Sequence, residues 1–255
     1  MNPIDFARSI RARERAVGYW VVLDDPVATE RLARVGYDYV CLDAQHGLMG
    51  YEGLRNGFLA IDAGATSQAW VRAASNEAAG IGRALDAGAT GVIVPLVDTA
   101  EDAARAVEAC RYPPHGRRSY GPMRSQLRVG PTPAEADEAV LVLAMIETPQ
   151  GLENVEEICS VPGLDGVYVG PSDLRIAVGG SSPKDSSVDE VFEAALERVA
   201  AAAKGAGVAA GIHNPDGASA ARRLEQGFTF ATVASDLVHL EQVAAQHLAA
   251  ARAEG

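Results

Sequence analysis

Two carboxylates follow apolar runs in the second half of the chain. Glu147 follows "VLVLAMI" at 140–146, and Asp173 follows "DGVYVGPS" at 165–172. If these runs are neighbouring strands, which lie roughly 4.7–4.9 Å apart in a sheet, both side chains can bind one cation. Carboxylate oxygens unaccompanied by cysteine favour Mg²⁺ or Mn²⁺ over structural zinc. The competing interpretation is that Asp173 is a helix N-cap and Glu147 an acid in a first helical turn.

A second alternative for the same carboxylates is the acid pair of a glycosidase. Carboxyl groups separated by about 5 Å suit a retaining glycosidase. Sugar-binding sites usually offer aromatic platforms, however, and aromatic residues make up only 5% of this chain. The composition therefore favours the cation site.

An imidazole and a guanidinium also follow apolar runs. His46 stands in "LDAQHGL" at 42–48, and Arg72 ends "SQAWVR" at 67–72. Histidine can accept a proton near neutral pH, although a lone histidine at a strand end is more often structural. The arginine fork suits an anionic oxygen or an enolate, and its alternative role is a salt bridge to a nearby acid. His213 ends another run, without an evident acid partner.

Lysine is nearly absent, which limits the carbonyl chemistry available. The chain has Lys184 in a polar loop and Lys204 near a helix end. A Schiff base needs a desolvated lysine that faces the substrate. The sequence therefore disfavours that mechanism, and carbonyl chemistry would require a metal ion as the electron sink.

The elements that position these residues alternate along the chain. Predicted helices lie between apolar, β-rich runs, and capping residues such as Asp25, Asn76 and Thr99 and glycines such as Gly36 and Gly88 mark helix ends. Most runs are continuous rather than alternating, which is typical of parallel strands covered on both faces. The predicted strands are 17–23, 37–43, 67–73, 90–97, 140–147, 165–170, 207–213 and 228–234.

Eight strand–helix alternations in this length predict one (β/α)8 TIM-barrel domain that spans residues 1–255. A doubly wound sheet is the alternative, but no GxGxxG follows the first strand. Because the active face of a TIM barrel lies at the C-terminal strand ends, the side chains above are expected on one rim.

Charge and cysteine content narrow the class of protein. The formal net charge of -12 would repel nucleic acid. Three separated cysteines predict a reducing compartment. No signal peptide or membrane span is evident, so the sequence predicts a soluble cytoplasmic protein. The arginine-rich segment 111–139 is either a solvated connection or a loop that contacts an anionic substrate or a neighbouring subunit.

Several stretches together resemble one enzyme family. "LDAQHGL", "RYPPHGRRSYG", "MIETPQGLENVEEI" and "LDGVYVGPSDL" are similar to the HpcH/HpaI aldolases, and the resemblance extends roughly from residue 16 to 240. These are class II, metal-dependent pyruvate aldolases such as 4-hydroxy-2-oxoheptanedioate aldolase. The resemblance implies a hexameric (β/α)8 barrel built from dimers, with the last helix exchanged between partners.

The resemblance also implies site roles. It implies Glu147 and Asp173 as ligands of Mg²⁺, Mn²⁺ or Co²⁺, His46 as the base and Arg72 as the group that stabilises the transition state. The acid that raises the basicity of the histidine matches Asp86, which the sequence alone indicates only as a helix-end surface residue.

Further implied contacts involve substrate and water. The family's backbone contact to substrate matches Gly170, Pro171 and Ser172, and Asp43 would hold metal-bound water. This chain departs from the heptanedioate aldolases at Gln45, where they have Glu, and at Met145, where they have Gln. Both positions adjoin the expected substrate site, so the departures affect the substrate more than the metal centre.

The implied reaction is reversible cleavage of a 4-hydroxy-2-oxoacid to pyruvate, or a related 2-oxoacid, and an aldehyde. Three alternatives remain open from the sequence. They are a citrate lyase β or malyl-CoA type of lyase, an oxaloacetate decarboxylase, and a metal-dependent 2-oxoacid sensor without catalysis.

Overall fold

The fold is a closed barrel of eight parallel strands. The computed structural model describes residues 1–130 and 132–253. Each strand pairs with the next in chain order, and β8 pairs with β1. The strands are β1 Ala16–Val21, β2 Tyr39–Asp43, β3 Gln68–Arg72, β4 Gly91–Val94, β5 Leu141–Ile146, β6 Gly166–Val169, β7 Ala209–Asn214 and β8 Phe230–Ser235. All eight predicted strands and the predicted TIM barrel are confirmed.

The helices surround the barrel, and most of them lie between successive strands. They are α1 Pro3–Arg11, α2 Pro26–Ala33, α3 Tyr51–Gly64, α4 Ala78–Ala87, α5 Ala100–Cys110, α6 Pro133–Ala139, α7 Pro149–Glu153, α8 Val155–Cys159, α9 Pro171–Ala177, α10 Asp189–Ala206, α11 Gly217–Glu225 and α12 Asp236–Ala253. Short 3₁₀ turns lie at Ser125–Leu127 and Ser186–Val188.

Capping chemistry sets several helix ends as predicted. Asp25 accepts hydrogen bonds from the first amides of α2, and Thr99 forms a capping box at the start of α5. Gly88 ends α4 in a left-handed conformation. The predicted cap at Asn76 is wrong, because the N-cap of α4 is the next residue and the Asn76 amide donates instead to the carbonyl of Asp102.

Aromatic side chains fill the barrel interior beneath the C-terminal rim. The rings of Tyr39 and Trp70 stack with centroids 3.9 Å apart, and Phe230 packs edge-on against both. The hydroxyls of Tyr39 and Tyr168 each lie 2.7 Å from Oγ1 of Thr232. These side chains are fully buried, so the interior is a packed core and the open space lies above it.

The strand register determines which site residues lie at the same height along the barrel axis. Asp43 pairs with Arg72 across β2 and β3. Ile146 pairs with Val169, which in turn pairs with Ile212. The next residue along each of β5, β6 and β7 is therefore at one height, and these residues are Glu147, Gly170 and His213.

The arginine-rich segment is fastened to α3 and α4. Arg118 Nη2 donates to Asp86 Oδ1 at 2.9 Å, and the side chain of Arg118 is buried. Arg124 pairs with Asp62 and donates to the carbonyl of Ala87 at 2.6 Å. Arginine pairing to acids and to a helix C-terminus holds the connection against the barrel. The proposed contacts of this segment with a substrate or a subunit stay predictions.

The last helix, α12, has mainly exposed side chains. Leu240, Val243 and Leu248 on this helix are 60%, 50% and 53% exposed. At its start, His239 Nδ1 lies 2.7 Å from the hydroxyl of Tyr19. Among the helices in residues 1–130 and 132–253, none combines the length and hydropathy of a membrane span.

Candidate active site

A cavity of about 280 Å³ opens at the C-terminal ends of the strands. Its lining comes from residues in or directly after seven of the eight strands. They are Trp20, Val22, His46, Arg72, Met145, Tyr168, Gly170, Ser172, Asp173, His213 and Ser235. The structure thus brings six of the residues singled out as site residues by the sequence to one cavity, and they are His46, Arg72, Met145, Gly170, Ser172 and Asp173.

A buried ion pair forms one wall of this cavity. Arg72 Nε donates to Asp43 Oδ1 at 2.9 Å and Arg72 Nη2 donates to Asp43 Oδ2 at 2.5 Å. Only 9% of the Arg72 side chain and 2% of the Asp43 side chain are exposed. The alternative interpretation of Arg72, a salt bridge to a nearby acid, is therefore what the structure contains. The pair still leaves Nη1 of Arg72 without a hydrogen bond to any described residue.

Two opposing effects determine the ionisation of the pair. Burial disfavours the charge on Asp43, but the hydrogen bonds and charge of Arg72 outweigh burial and hold the pKa of Asp43 below its usual value. Burial also disfavours the charge on Arg72, and Asp43 outweighs it so that the pKa of Arg72 is raised. Both groups are therefore charged at neutral pH, and the bidentate geometry fixes the plane of the guanidinium.

Asp43 also shapes the loop that carries His46. Its Oδ1 accepts the backbone N–H groups of Gln45 at 3.0 Å and His46 at 3.1 Å, and its Oδ2 accepts Trp20 Nε1 at 3.2 Å. The same carboxylate thus turns the chain after β2 and directs His46 towards the cavity. The predicted contact of Asp43 with metal-bound water stays a prediction.

Glu147 is buried next to Gly170, which lines the cavity, but Glu147 itself is not part of the lining, and one of its oxygens is held in place. Its Oε1 accepts the backbone N–H of Leu96 at 2.9 Å, and Leu96 has a φ of 54°. A Cβ on Gly170 would lie 2.8 Å from Oε2, so only glycine allows the chain directly after β6 to approach the second oxygen this closely. Burial, together with the negative charge of Asp173, raises the pKa of Glu147.

These two carboxylates fit a divalent cation. Asp173 lies in the first turn of α9, whose N-cap is Gly170, so the alternative interpretation of Asp173 as an N-cap is wrong. Burial and, to a smaller extent, repulsion by Asp173 raise the pKa of Glu147, and a cation would offset both. Within the described ranges no cluster of three or more His, Cys, Asp or Glu side chains could hold a metal ion. The protein would therefore supply two oxygen-bearing side chains, and substrate or water the remaining ligands.

Asp86 lies elsewhere in the chain. It pairs with Arg118 and lines a separate cavity of about 620 Å³, formed mainly by α4, α5 and the arginine-rich segment. The structure of the single chain therefore does not bring Asp86 together with His46 in the smaller cavity. The role that the resemblance implies for Asp86 stays a prediction.

Sequence reasoning missed several residues of the cavity. Trp20 donates to Asp43, and its ring lies 5.1 Å from the Arg72 guanidinium carbon and 5.9 Å from the ring of Tyr168. A signal that could have identified them is their position, since the C-terminal ends of their strands lie close to Trp20, Tyr168 and Ser235. Within continuous apolar runs, however, aromatic residues read as core.

Comparisons with known proteins agree along nearly the whole chain. The model of the HpcH/HpaI aldolase/citrate lyase family matches residues 16–242. A hydroxypyruvate/pyruvate aldolase of Rhizorhabdus wittichii is 40% identical over 239 residues, covering 93% of this chain and 94% of that protein. A 5-keto-4-deoxy-D-glucarate aldolase of Klebsiella pneumoniae is 38% identical, covering 92% and 91%. A crystal structure of a family protein from Burkholderia cenocepacia superposes with a TM-score of 0.87 at 32% identity, covering 97% and 99%.

Proposed function

The chain belongs to the HpcH/HpaI aldolase/citrate lyase family, and we propose that it is a carbon–carbon lyase of the class II aldolase type. It cleaves a 4-hydroxy-2-oxoacid reversibly to pyruvate, or a related 2-oxoacid, and an aldehyde. The observation that carries this proposal is one cavity lined by Asp173, a pre-oriented guanidinium and a histidine, with the buried carboxylate of Glu147 close to Asp173. The names of the relatives, which are aldolases for hydroxypyruvate or pyruvate and for a keto-deoxy sugar acid, support it.

Glu147 and Asp173 would hold a divalent cation, with Mg²⁺, Mn²⁺ and Co²⁺ as the candidates. The bound cation would supply the Lewis acid that withdraws electrons from the keto group, which the chain's lysines are not placed to do. The backbone N–H of Leu96 keeps one oxygen of Glu147 oriented, and Gly170 leaves space beside the other.

Arg72 stabilises the negative charge that develops on the keto oxygen. Asp43 engages Nε and Nη2, so the guanidinium is oriented before substrate arrives and Nη1 remains available as a donor. A pre-oriented donor in a site of low dielectric contributes most where charge appears during the reaction. Arg72 thus favours the enolate over the bound ketone.

His46 accepts the proton of the substrate's 4-hydroxyl group. As that proton leaves, the C3–C4 bond breaks and the aldehyde departs, while the electron pair of the bond stays with the 2-oxoacid as its enolate. Protonation at C3 then gives the product 2-oxoacid, and the reverse sequence joins the two molecules. The Asp43 turn positions the histidine for this transfer.

The remaining cavity residues bind the substrate and exclude water. Gly170, Pro171 and Ser172 contact the substrate through their backbone at the start of α9, and Met145 gives the cavity an apolar wall. Gln45 stands next to the base on the Asp43 turn. An apolar wall excludes water, which would otherwise weaken the electrostatic interactions of Arg72.

We further propose a cytoplasmic homo-oligomer, the hexamer that the family resemblance implies. The exposed apolar side chains of α12 support assembly, because a protein that remained monomeric would expose them to water. Neither nucleic acid nor a membrane is proposed as a partner.

The experiment that tests the function is an aldol assay with controlled metal content. The enzyme is incubated with pyruvate or hydroxypyruvate and a panel of aldehydes, in Mg²⁺, Mn²⁺, Co²⁺ or EDTA. We expect product with at least one metal, loss of activity in EDTA, and recovery when metal is restored. Full activity in EDTA, or inactivity with every metal and aldehyde, would contradict the proposal.

Replacing Gly170 with alanine tests whether its lack of a side chain preserves the cation site. The new Cβ would lie 2.5 Å from Met145 Cε and 2.8 Å from Glu147 Oε2. The methionine end can move, but the carboxylate must shift, so we expect Mn²⁺ affinity by calorimetry to fall about tenfold or more. Gly217→Ala is the matched control, since its Cβ would meet nothing within 4 Å. Unchanged Mn²⁺ affinity in G170A would contradict the arrangement.

A further inference from the structure

His213 is an imidazole in the cavity for which the proposed reaction has no role. It stands near the end of β7 and lines the space above the barrel core. Its ring meets Trp20 edge-on, with centroids 5.3 Å apart and planes at 79°. Throughout residues 1–130 and 132–253, no group forms a hydrogen bond with either ring nitrogen. The imidazole is thus positioned by packing, and its polar atoms are left for a ligand.

This imidazole is uncharged at neutral pH. Burial, reinforced by the positive charge of Arg72 and opposed by Asp43, lowers the pKa of His213 to about 4. A neutral imidazole offers one N–H donor and one nitrogen acceptor. It therefore cannot pair as a cation with the carboxylate of a substrate, and the group that matches it best is an uncharged hydroxyl, which both donates and accepts.

Register indicates which part of the substrate it reaches. His213 stands level with Gly170, the residue directly after the neighbouring strand β6, and Gly170 lies against Glu147 Oε2. Neighbouring strands are roughly 4.7–4.9 Å apart. The imidazole is therefore two strands from Glu147 and lines the same cavity as Asp173, on the side that would hold the 2-oxoacid. It also packs on Trp20, which is buried and stacks on the core residue Tyr168, so the imidazole lies towards the core side of the cavity.

We propose that His213 sets the donor specificity of this enzyme by hydrogen-bonding a hydroxyl group on C3 of the 2-oxoacid. The favoured donors are then 3-hydroxy-2-oxoacids, with hydroxypyruvate as the simplest, over pyruvate. This inference rests on the proposed aldolase function. Its physical basis is that pyruvate has no C3 hydroxyl. Bound pyruvate would exclude water from the imidazole without replacing the hydrogen bonds that the imidazole made to water. The cost of leaving the imidazole unpaired would discriminate against pyruvate.

The test compares two donors in His213→Phe and His213→Gln. Phenylalanine keeps the edge contact with Trp20 but removes both polar atoms, whereas glutamine keeps a donor and an acceptor. We expect wild type to prefer hydroxypyruvate in kcat/KM. We expect H213F to lower the hydroxypyruvate-to-pyruvate ratio about tenfold, the effect of one hydrogen bond, and H213Q to restore most of the ratio. His115→Phe is the control, since His115 is exposed and lines a different cavity, distant from the C-terminal rim.

A donor-only measurement separates this inference from the rest of catalysis. Exchange of the C3 hydrogens of each 2-oxoacid in D₂O reports donor binding and enolisation without any aldehyde. We expect H213F to lower the ratio of the exchange rate with hydroxypyruvate to the exchange rate with pyruvate by the same factor. If H213F does not fold, judged by circular dichroism, His213→Leu carries the same expectation.

Three results would overturn the inference while leaving the aldolase function intact. They are a wild type that does not prefer hydroxypyruvate, an equal loss with both donors in H213F, and a changed preference for hydroxylated aldehydes in place of donors. Inactivity of wild type with both donors and every metal would instead refute the proposed function itself. The two failures are therefore distinguishable.

Discussion

Replacing Glu147 with glutamine is expected to lower the rate of aldol cleavage by about a thousandfold or more and to abolish tight binding of Mn²⁺. A Lewis acid contributes several kcal/mol, and about 4 kcal/mol corresponds to a factor of about a thousand. The amide oxygen of glutamine can still accept the N–H of Leu96, which donates to Glu147 at 2.9 Å. The variant therefore removes the negative charge of residue 147 and retains its hydrogen bond to Leu96. Changes in activity and Mn²⁺ affinity then measure the contribution of that charge.

The same variant is expected to be more stable than wild type when both are free of metal. Burial and Asp173 raise the pKa of Glu147, so the folded state binds its proton more tightly than the unfolded state does. Stability contributed by this group is consequently lost as pH rises through the unfolded and then the folded pKa, and the loss persists at neutral pH. Glutamine carries no such cost, and we expect metal-free Tm at pH 7 to increase by about 2 °C.

Calorimetry with Mn²⁺, steady-state kinetics and thermal unfolding measure these effects together. Glu157→Gln serves as the control, because Glu157 is exposed on α8 and stands outside the cavity. Mn²⁺ affinity or turnover near that of wild type in E147Q would remove Glu147 from the metal site. A lower metal-free Tm would contradict the sign of its electrostatic contribution.

Replacing Arg72 with lysine is expected to lower kcat by about a hundredfold to a thousandfold, the usual effect of removing a donor at a developing oxyanion. Lysine presents one ammonium in place of a planar fork. It cannot satisfy both oxygens of Asp43 and still direct a donor into the cavity. Because Asp43 is buried and also orients the His46 loop, an incompletely paired Asp43 would also disturb His46, the proposed base.

A matched control for this change exists on the surface. Arg198 makes a similar bidentate pair with Glu156, with donor–acceptor distances of 3.0 and 2.8 Å, but both partners are largely exposed. We expect Arg198→Lys to change stability by less than about 1 kcal/mol and to leave kcat unchanged. If R72K retained the kcat of wild type, the guanidinium would have no part in stabilising the enolate.

Much of the fold was predictable because its determinants are local. Continuous apolar runs located all eight strands, and caps such as Thr99 located helix starts. Strand ends were less accurate. The predicted strand 90–97 ends at Val94, because Pro95 lacks an amide hydrogen and Leu96 turns to a φ of 54°. That turn is what directs an amide to Glu147, and nothing in the residue types indicates it.

The location of the candidate site at the C-terminal rim of the barrel was predictable from the sequence, but the contacts among its residues were less so. The barrel rule gathers strand-end residues, but the partner of Arg72 depends on the register that sets it beside Asp43. The pairing of Asp86 with Arg118 joins α4 to a connection 32 residues away, which local patterns do not reveal. For His213, burial and the charge of Arg72 determine its protonation, and both arise only in the folded chain.

The aromatic packing around Tyr39, Trp70 and Phe230 fills the barrel interior beneath the cavity, so no route to the proposed site leads through the barrel. In the proposed reaction, the hydroxy-oxoacid and the two fragments of its cleavage would all enter or leave at the C-terminal rim. A 2-oxoacid bound nearest the barrel core would have to enter before the aldehyde and depart after it. In the synthetic direction of the proposed reaction, the enolate donor would then be bound before the aldehyde acceptor arrives.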